Sequence, residues 1–319
     1  MTGTGHHRGP PAASEWAPCS DRSRQRGDPL GGTGGYGAGW FLVEIDSSWG
    51  EHAFTESSLD PVLGRAIVRR VERAGLRPVA IRRHGRRADQ RRDQESWRWA
   101  LADSRPGHES LRWGQVDDPA ALLEIALDGS AGTASSEPAV LVCTHAKHDR
   151  CCAVRGRPVV TALADSHPAA TWECSHLGGD RFAATMIVLP HGLYYGRVPA
   201  EHAPSIMEAF VSGRVVPDFF RGRSSLSNAV QAAQAFARDT LGDTRIPAWQ
   251  PVGEQVDDDG SVWRIVLSAP HSLLQVNMHQ TWSEPLLSTC AAVKPAPVRE
   301  FSLDSVELLG SEVHEWDTL

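Results

Sequence analysis

Donor side chains crowd two short stretches of this chain. "CTHAKHDRCC" begins at Cys143 and carries three cysteines and two histidines; "WECSHLGGD" ends at Asp180 and carries a cysteine, a histidine and an aspartate. Thiolates hold iron or zinc as soft, charged donors, and an imidazole can stand in for one of them. Cys143 and Cys152 are separated by eight residues. That gap is wider than the two-residue spacing of a zinc finger and suits a loop wrapped around a larger inorganic core. Cys174 and His176 are two apart, so on a strand they project from one face toward a common centre. Gly178 and Gly179 then allow positive φ and a close backbone approach, which would aim amide groups at a negatively charged cluster.

Toward a set of four donors the first stretch offers Cys143 and Cys152, and the second offers Cys174, His176 and Asp180, with Asp180 either accepting from the imidazole N–H or ligating in its own right. Cys151 competes with Cys152 for the same role. His145 and His148 read as hydrogen-bonding loop residues able to tune a cluster, and His191 as a surface loop residue. Arg181 either holds Asp180, compensates cluster charge or faces solvent. Cys19 and Cys290 stand alone in sequence and read as small buried side chains. The same donors would also permit a zinc-stabilised structural or interaction protein. A thiol-disulfide redox protein fits less well, because no cysteine pair with two-residue spacing opens a helix. Nothing local marks the paired carboxylates of a glycosidase, so sucrose hydrolysis is not expected.

The composition limits the partners. The formal charge of −7 argues against nonspecific nucleic-acid binding, which needs many phosphates neutralised. One exception is "RRHGRRADQRR", Arg82 to Arg92, with six arginines against one aspartate: a solvated face, or a docking patch for an acidic redox partner, a reductase or an oxidoreductase. The longest apolar runs, "PAVLVC" and "MIVLP", are too short to cross a bilayer, and the N-terminus lacks the apolar stretch of a secretory signal. A cytoplasmic protein is expected, whose reducing surroundings leave clustered thiols free for metal or redox work.

The chain is long enough for roughly two domains. The Gly-, Pro- and Arg-rich start reads as a flexible segment over residues 1–35. "WFLVEID" is a buried strand, "LDPVLGRAIVRRVERAG" a helix stopped by Gly75, and "LRPVAIRR" and "SWRWALADS" are strands, giving an N-terminal α/β domain over 36–134. "DPAALLEIAL" reads as helical. The pattern then restarts over 135–228 with strand "AVLVCTH", helix "RPVVTALADSH", strands "ATWECSH", "ATMIVLP" and "GLYYGRV", and helix "EHAPSIMEAFVSG". That order is compatible with a thioredoxin-like sheet and sets both cysteine clusters where strands end and loops begin. Residues 229–319 add a helix, "NAVQAAQAFARDTLG", and a small β-rich tail. No strict repeat is visible, although the two α/β halves could echo each other.

From about Cys19 to Ser227, "CTHAKHDRCCAVRG", "WECSHLGGDRFAATMIVLPHGLYYGRV", "FRGRSSLS" and "WFLVEIDSSWG" resemble the sucrase/ferredoxin-like family. The resemblance implies an α/β protein with a thioredoxin-like domain that carries a [2Fe-2S] cluster and transfers electrons. It implies two cysteines with eight residues between them, at Cys143 and Cys152, and two histidines with three between them, the first at His176. The second histidine position holds Asp180. A carboxylate is a harder donor for iron, which makes Cys174 the natural substitute.

Overall fold

The computed structural model describes residues 18–85, 95–269 and 272–309. In the first half, β1 (Gly39–Glu44) is followed by a crossover helix and a parallel strand β2 (Leu76–Arg82), then by antiparallel β3 (Trp97–Asp103), β4 (Ser110–Val116) and the short β5 (Thr133–Ala134). The crossover helix α2 spans Pro61–Arg73. Asp60 starts it by accepting from the amides of Val62 and Leu63, with Pro61 supplying a preset φ at the first helical position. Ile67 and Val71 of α2 are buried against Phe41, Val43 and Ala80.

The second half repeats this plan. Strand β6 (Ala139–Cys143), helix α3 (Arg150–Ser166) and parallel strand β7 (Thr171–Cys174) precede antiparallel β8 (Met186–Leu189) and β9 (Leu193–Tyr195). Helix α4 (Ala203–Val211) and strand β10 (Phe220–Arg223) close it. The strand orders β2-β1-β3-β4 and β7-β6-β8-β9 are the same topology twice, and that of the second half is thioredoxin-like. The halves join through β2 and β7, which run antiparallel with Ile81 opposite Cys174 and Arg82 opposite Glu173. The result is one ten-stranded mixed sheet. Alternation along its strands puts Trp40, Leu42, Leu141, Cys143 and Cys174 on one face and the residues under α2 and α3 on the other.

Several expectations are corrected here. Helix α3 begins at Arg150, seven residues before the expected Arg157, because Asp149 caps it through the amide of Cys151; Pro158, which reads as a start signal, lies inside the helix. Cys151 and Cys152 therefore sit in the first turn of a helix and not in a loop. "DPAALLEIAL" forms only a 3-10 turn at Pro119–Leu123, and β4 was not anticipated. Residues 18–35 are folded: helix α1 (Cys19–Arg26) buries Cys19 and Ser23, and Arg197 bonds the carbonyls of Ser23 and Asp28. Residues 1–17 lie outside the described residues.

The C-terminal region holds helix α5 (Asn228–Leu241) against a separate antiparallel sheet, ordered β11 (Pro251–Val256), β12 (Val262–Ala269), β13 (Ser272–Trp282) and β14 (Arg299–Leu309). Leu274, Val276 and Met278 alternate inward from β13 onto Ala229 and Ala233. Among the described residues, no helix is long and apolar enough to cross a membrane.

Candidate metal centre

Cys143 and Cys174 end the two parallel strands β6 and β7 in direct register, both fully buried. Cys152 lies in the first turn of α3. Its interaction with Cys143 holds the Cys143 thiol below the ordinary range despite burial, while Cys152 itself is pushed well above it by Cys143 and by burial. Cys152 Sγ also lies 3.1 Å from Asp180 Oδ1, and the same oxygen lies 3.1 Å from His176 Nδ1. Burial alone would lower His176, but Asp180 outweighs it and raises the imidazole; burial would raise Asp180, and His176 outweighs it in turn.

Asp180 reaches this position because Gly178 and Gly179 both take positive φ, at 95° and 78°, folding the chain back after β7. A side chain at Gly179 would run into the Arg221 guanidinium, which bonds the Gly178 carbonyl and Thr33. Arg221 is fully buried, which pulls it down to about 10, while the nearby Asp180 and Cys152 act in the opposite direction. Arg181 does not hold Asp180: it pairs with Asp28 at 3.3 Å and lies over Phe182.

The histidines of the first motif join the second. His148 lies with its ring centroid 3.8 Å from that of His176 and its Nε2 3.9 Å from Asp180 Oδ2. His148, His176 and Asp180 can each offer a ligand atom to one ion. Burial, with the charge of His176 beside it, keeps His148 below the usual imidazole value, so it is a neutral donor near pH 7. His145 is buried behind it, its Nε2 2.7 Å from the Gly50 carbonyl and its ring edge-on to Trp49. The loop after β1 thus braces the loop after β6. The partly exposed histidine edge faces a cavity of about 610 Å³ that Arg65, Arg69 and Glu72 also line.

The Cys174 side chain makes no hydrogen bond among the described residues, and burial pushes its thiol well above the ordinary value. Cys151 points elsewhere, to Cys19 at 3.6 Å and Cys290 at 3.1 Å. Cys19 and Cys290 are thus not isolated thiols but meet in space. The hydrogen bond from Cys19 lowers Cys151 to about 6, helped by Ser20, whereas burial pushes Cys290 up to about 11. His191 is partly buried beside Phe210, and burial lowers it.

The sucrase/ferredoxin-like family model matches residues 37–222. The chain belongs to the sucrase/ferredoxin-like family. Comparison with curated proteins gives no match. Among solved structures, a cysteine-to-serine variant of the thioredoxin-like [2Fe-2S] ferredoxin from Aquifex aeolicus is similar at 19% identity, over 27% of this chain and 99% of that one, with a TM-score of 0.25. Within the span shared with other sucrase/ferredoxin-like proteins lie Cys143, Cys152, Cys174, His176 and Asp180; Cys19 and Cys290 lie outside it.

Sequence reasoning read His148 as a loop residue and not as a donor beside His176, and it missed Asp149 and the meeting of Cys19 with Cys290. The signal for the first two was the "HD" pair before "RCC", a cap placed so that the preceding imidazole turns toward the helix start. No sequence signal linked residues 19 and 290.

Proposed function

We propose that this sucrase/ferredoxin-like protein is a one-electron carrier holding a [2Fe-2S] cluster with mixed cysteine and histidine ligation. The observation that carries this reading is the convergence of the buried thiols Cys143 and Cys152 with Asp180, His176 and His148. The donor chemistry fits: two thiols lie on the buried side and two imidazoles on the side toward solvent, and an imidazole is a better match to iron than a carboxylate. Cys143 and Cys152 would hold one iron, His176 and His148 the other. When bound, the group supplies a single reversible electron.

The chain does the rest. Asp180 orients His176, and Arg221 places a buried cation where added negative charge is stabilised. Cys174 and Leu177 form part of the apolar wall that keeps water from the thiols. The half-exposed histidine edge is where we place the redox partner, a reductase or oxidoreductase, because electron transfer needs the ligands close to the contact surface. The arginine run starts at the end of β2 beside β7. Its first members are used internally, Arg82 on Glu173 and Arg83 over Trp172, and Arg86 to Arg92 lie outside the described residues. A reducing cytoplasm would keep the thiols available as ligands.

Iron and acid-labile sulfide analysis, with EPR of the dithionite-reduced protein, tests this reading. Two irons and two sulfides per chain, and hyperfine coupling to two ligand nitrogens, are expected; zinc at this site with no iron in an anaerobic preparation overturns it. His148→Ala, Asp180→Ala and Cys174→Ser separate the candidates for the fourth donor. His148→Ala should abolish one nitrogen coupling, Asp180→Ala should leave both, and Cys174→Ser should keep the spectrum.

A further inference from the structure

Three thiols and one carboxylate from distant parts of the chain meet in a second place. Cys19 opens α1, Asp149 and Cys151 sit at the start of α3, and Cys290 lies in the long connection between β13 and β14. The three sulfurs form a triangle with sides of 3.6, 3.1 and 3.5 Å. Asp149 Oδ2 stands 3.7 Å from Cys19 Sγ. The carboxylate is fixed from behind, its oxygens accepting from the amides of Cys151 and Cys290 at 2.7 Å each, which leaves lone pairs free to face the thiols. Cys19, Cys151 and Asp149 are buried, and Cys290 is partly exposed on the outer side.

We infer that Cys19, Cys151, Cys290 and Asp149 form a second metal site, separate from the cluster site, that binds one tetrahedral zinc ion. Spacing decides between the candidate groups. Zinc–thiolate bonds of about 2.3 Å at the tetrahedral angle set sulfurs about 3.8 Å apart, within a few tenths of an ångström of two sides of the triangle. An iron-sulfur cluster spreads its protein ligands around an inorganic core, so three sulfurs in mutual contact do not suit one. A disulfide needs about 2.05 Å between sulfurs and would leave the third thiol and the carboxylate without a role. A buried set of four anionic donors is costly without a cation, and a divalent ion with three thiolates and one carboxylate satisfies all of them.

The ion would tie the N-terminal helix and the C-terminal connection to the first turn of α3. Cys151 in this site is the immediate neighbour of Cys152 in the other, so the staple would hold that turn in place. α1 also lies against the Asp180–Phe182 turn. Two of the four donors, Cys19 and Cys290, are outside the segment shared with the family, so the site is a property of this chain's two ends.

Zinc and iron are measured together on full-length protein purified without oxygen or chelator. About one zinc per chain is expected in the wild type. Cys290→Ser should lose it, with zinc affinity falling by more than about 100-fold, while retaining iron. Cys143→Ser should keep the zinc and lose the iron, so failure of the zinc proposal and failure of the cluster reading give different results. If the cysteine variants do not fold, zinc-edge X-ray absorption on the wild type still decides: about three sulfurs at 2.3 Å and one oxygen near 2.0 Å are expected. Absence of zinc, zinc retained in Cys290→Ser, histidine nitrogen in the zinc shell, or a Cys151–Cys290 disulfide in the anaerobically alkylated protein would each overturn the proposal.

Discussion

Replacing Gly156 by alanine tests how the cluster site is spaced. Gly156 lies in α3 with its Cα against the end of β6, and a Cβ there would run into the carbonyl oxygen of Cys143 and touch Thr144. Alanine is favoured over glycine inside a helix by about 1 kcal/mol. Overpacking costs up to about 3 kcal/mol, and the upper figure applies because the obstacle is backbone and cannot swing aside. The net expectation is a loss of about 2 kcal/mol, read by urea denaturation of the metal-free protein. Because the atom displaced belongs to Cys143, the substitution should also part the Cys143–Cys152 pair, so iron content should fall. Gly64→Ala is the matched control: in α2 its Cβ would meet the Phe54 carbonyl and touch neither Cys143 nor Cys152. It should lose similar stability and keep its iron. If Gly156→Ala is as stable as the wild type with full iron occupancy, or if both variants lose iron equally, helix-to-strand contact does not set the ligand spacing.

Other outcomes follow from the same contacts. Glu173 accepts from Arg82 and Thr144 at the seam between the halves, with His84 at 3.3 Å; Arg82→Met should cost about 3 kcal/mol by removing the buried carboxylate's arginine, and the double variant Arg82→Met/Glu173→Met should recover much of it in a double-mutant cycle. Arg221→Met removes a cation near the ligands and should lower the reduction potential by on the order of 40 mV per kcal/mol of lost charge stabilisation, measured by redox titration. Burial would raise Glu109, but the hydrogen bond from Arg223 outweighs it and holds the carboxyl below its ordinary value. Its folded pKa is therefore the lower one, so its contribution is present above the unfolded value of about 4.3 and lost as pH falls through the folded pKa. Glu109→Gln should flatten that acid-side slope in urea stability measured against pH; an unchanged slope would show that the pair is not what titrates.

Most of the fold was legible where one pattern dominates. Trp40 to Val43 and Val140 to Cys143 are apolar runs too short for helices, and Asp60-Pro61 before a 3.6-residue pattern marks α2 clearly. The start of α3 was hidden because Pro158 is a strong helix-start signal in isolation, whereas the cap that prevails, Asp149, lies among residues that also read as metal donors. At the site, Cys143, Cys152, His176 and Asp180 stood out through their spacing together with the family resemblance, and Cys152, Asp180 and His176 lie within hydrogen-bonding distance in turn. His148 did not stand out, since a histidine between a lysine and an aspartate looks like any solvated loop residue until the return of the chain through Gly178 and Gly179 sets His176 against it. The Cys19–Cys290 meeting joins residues 271 positions apart in the chain, and local pattern carries no information over that distance.

The join between the repeated halves has a mechanical consequence. Among the described residues two register pairs bridge β2 and β7, and one of them is Ile81 with Cys174, which is itself paired with Cys143 on the neighbouring strand. Any hinge between the halves would have to bend where the donors are anchored, and Arg82 with Glu173 locks that spot. The ligand scaffold thus sits at the molecule's fulcrum, clamped from both sides. A stiff frame there would keep nuclear rearrangement small when the charge on a bound centre changes, as the proposed electron carrier requires.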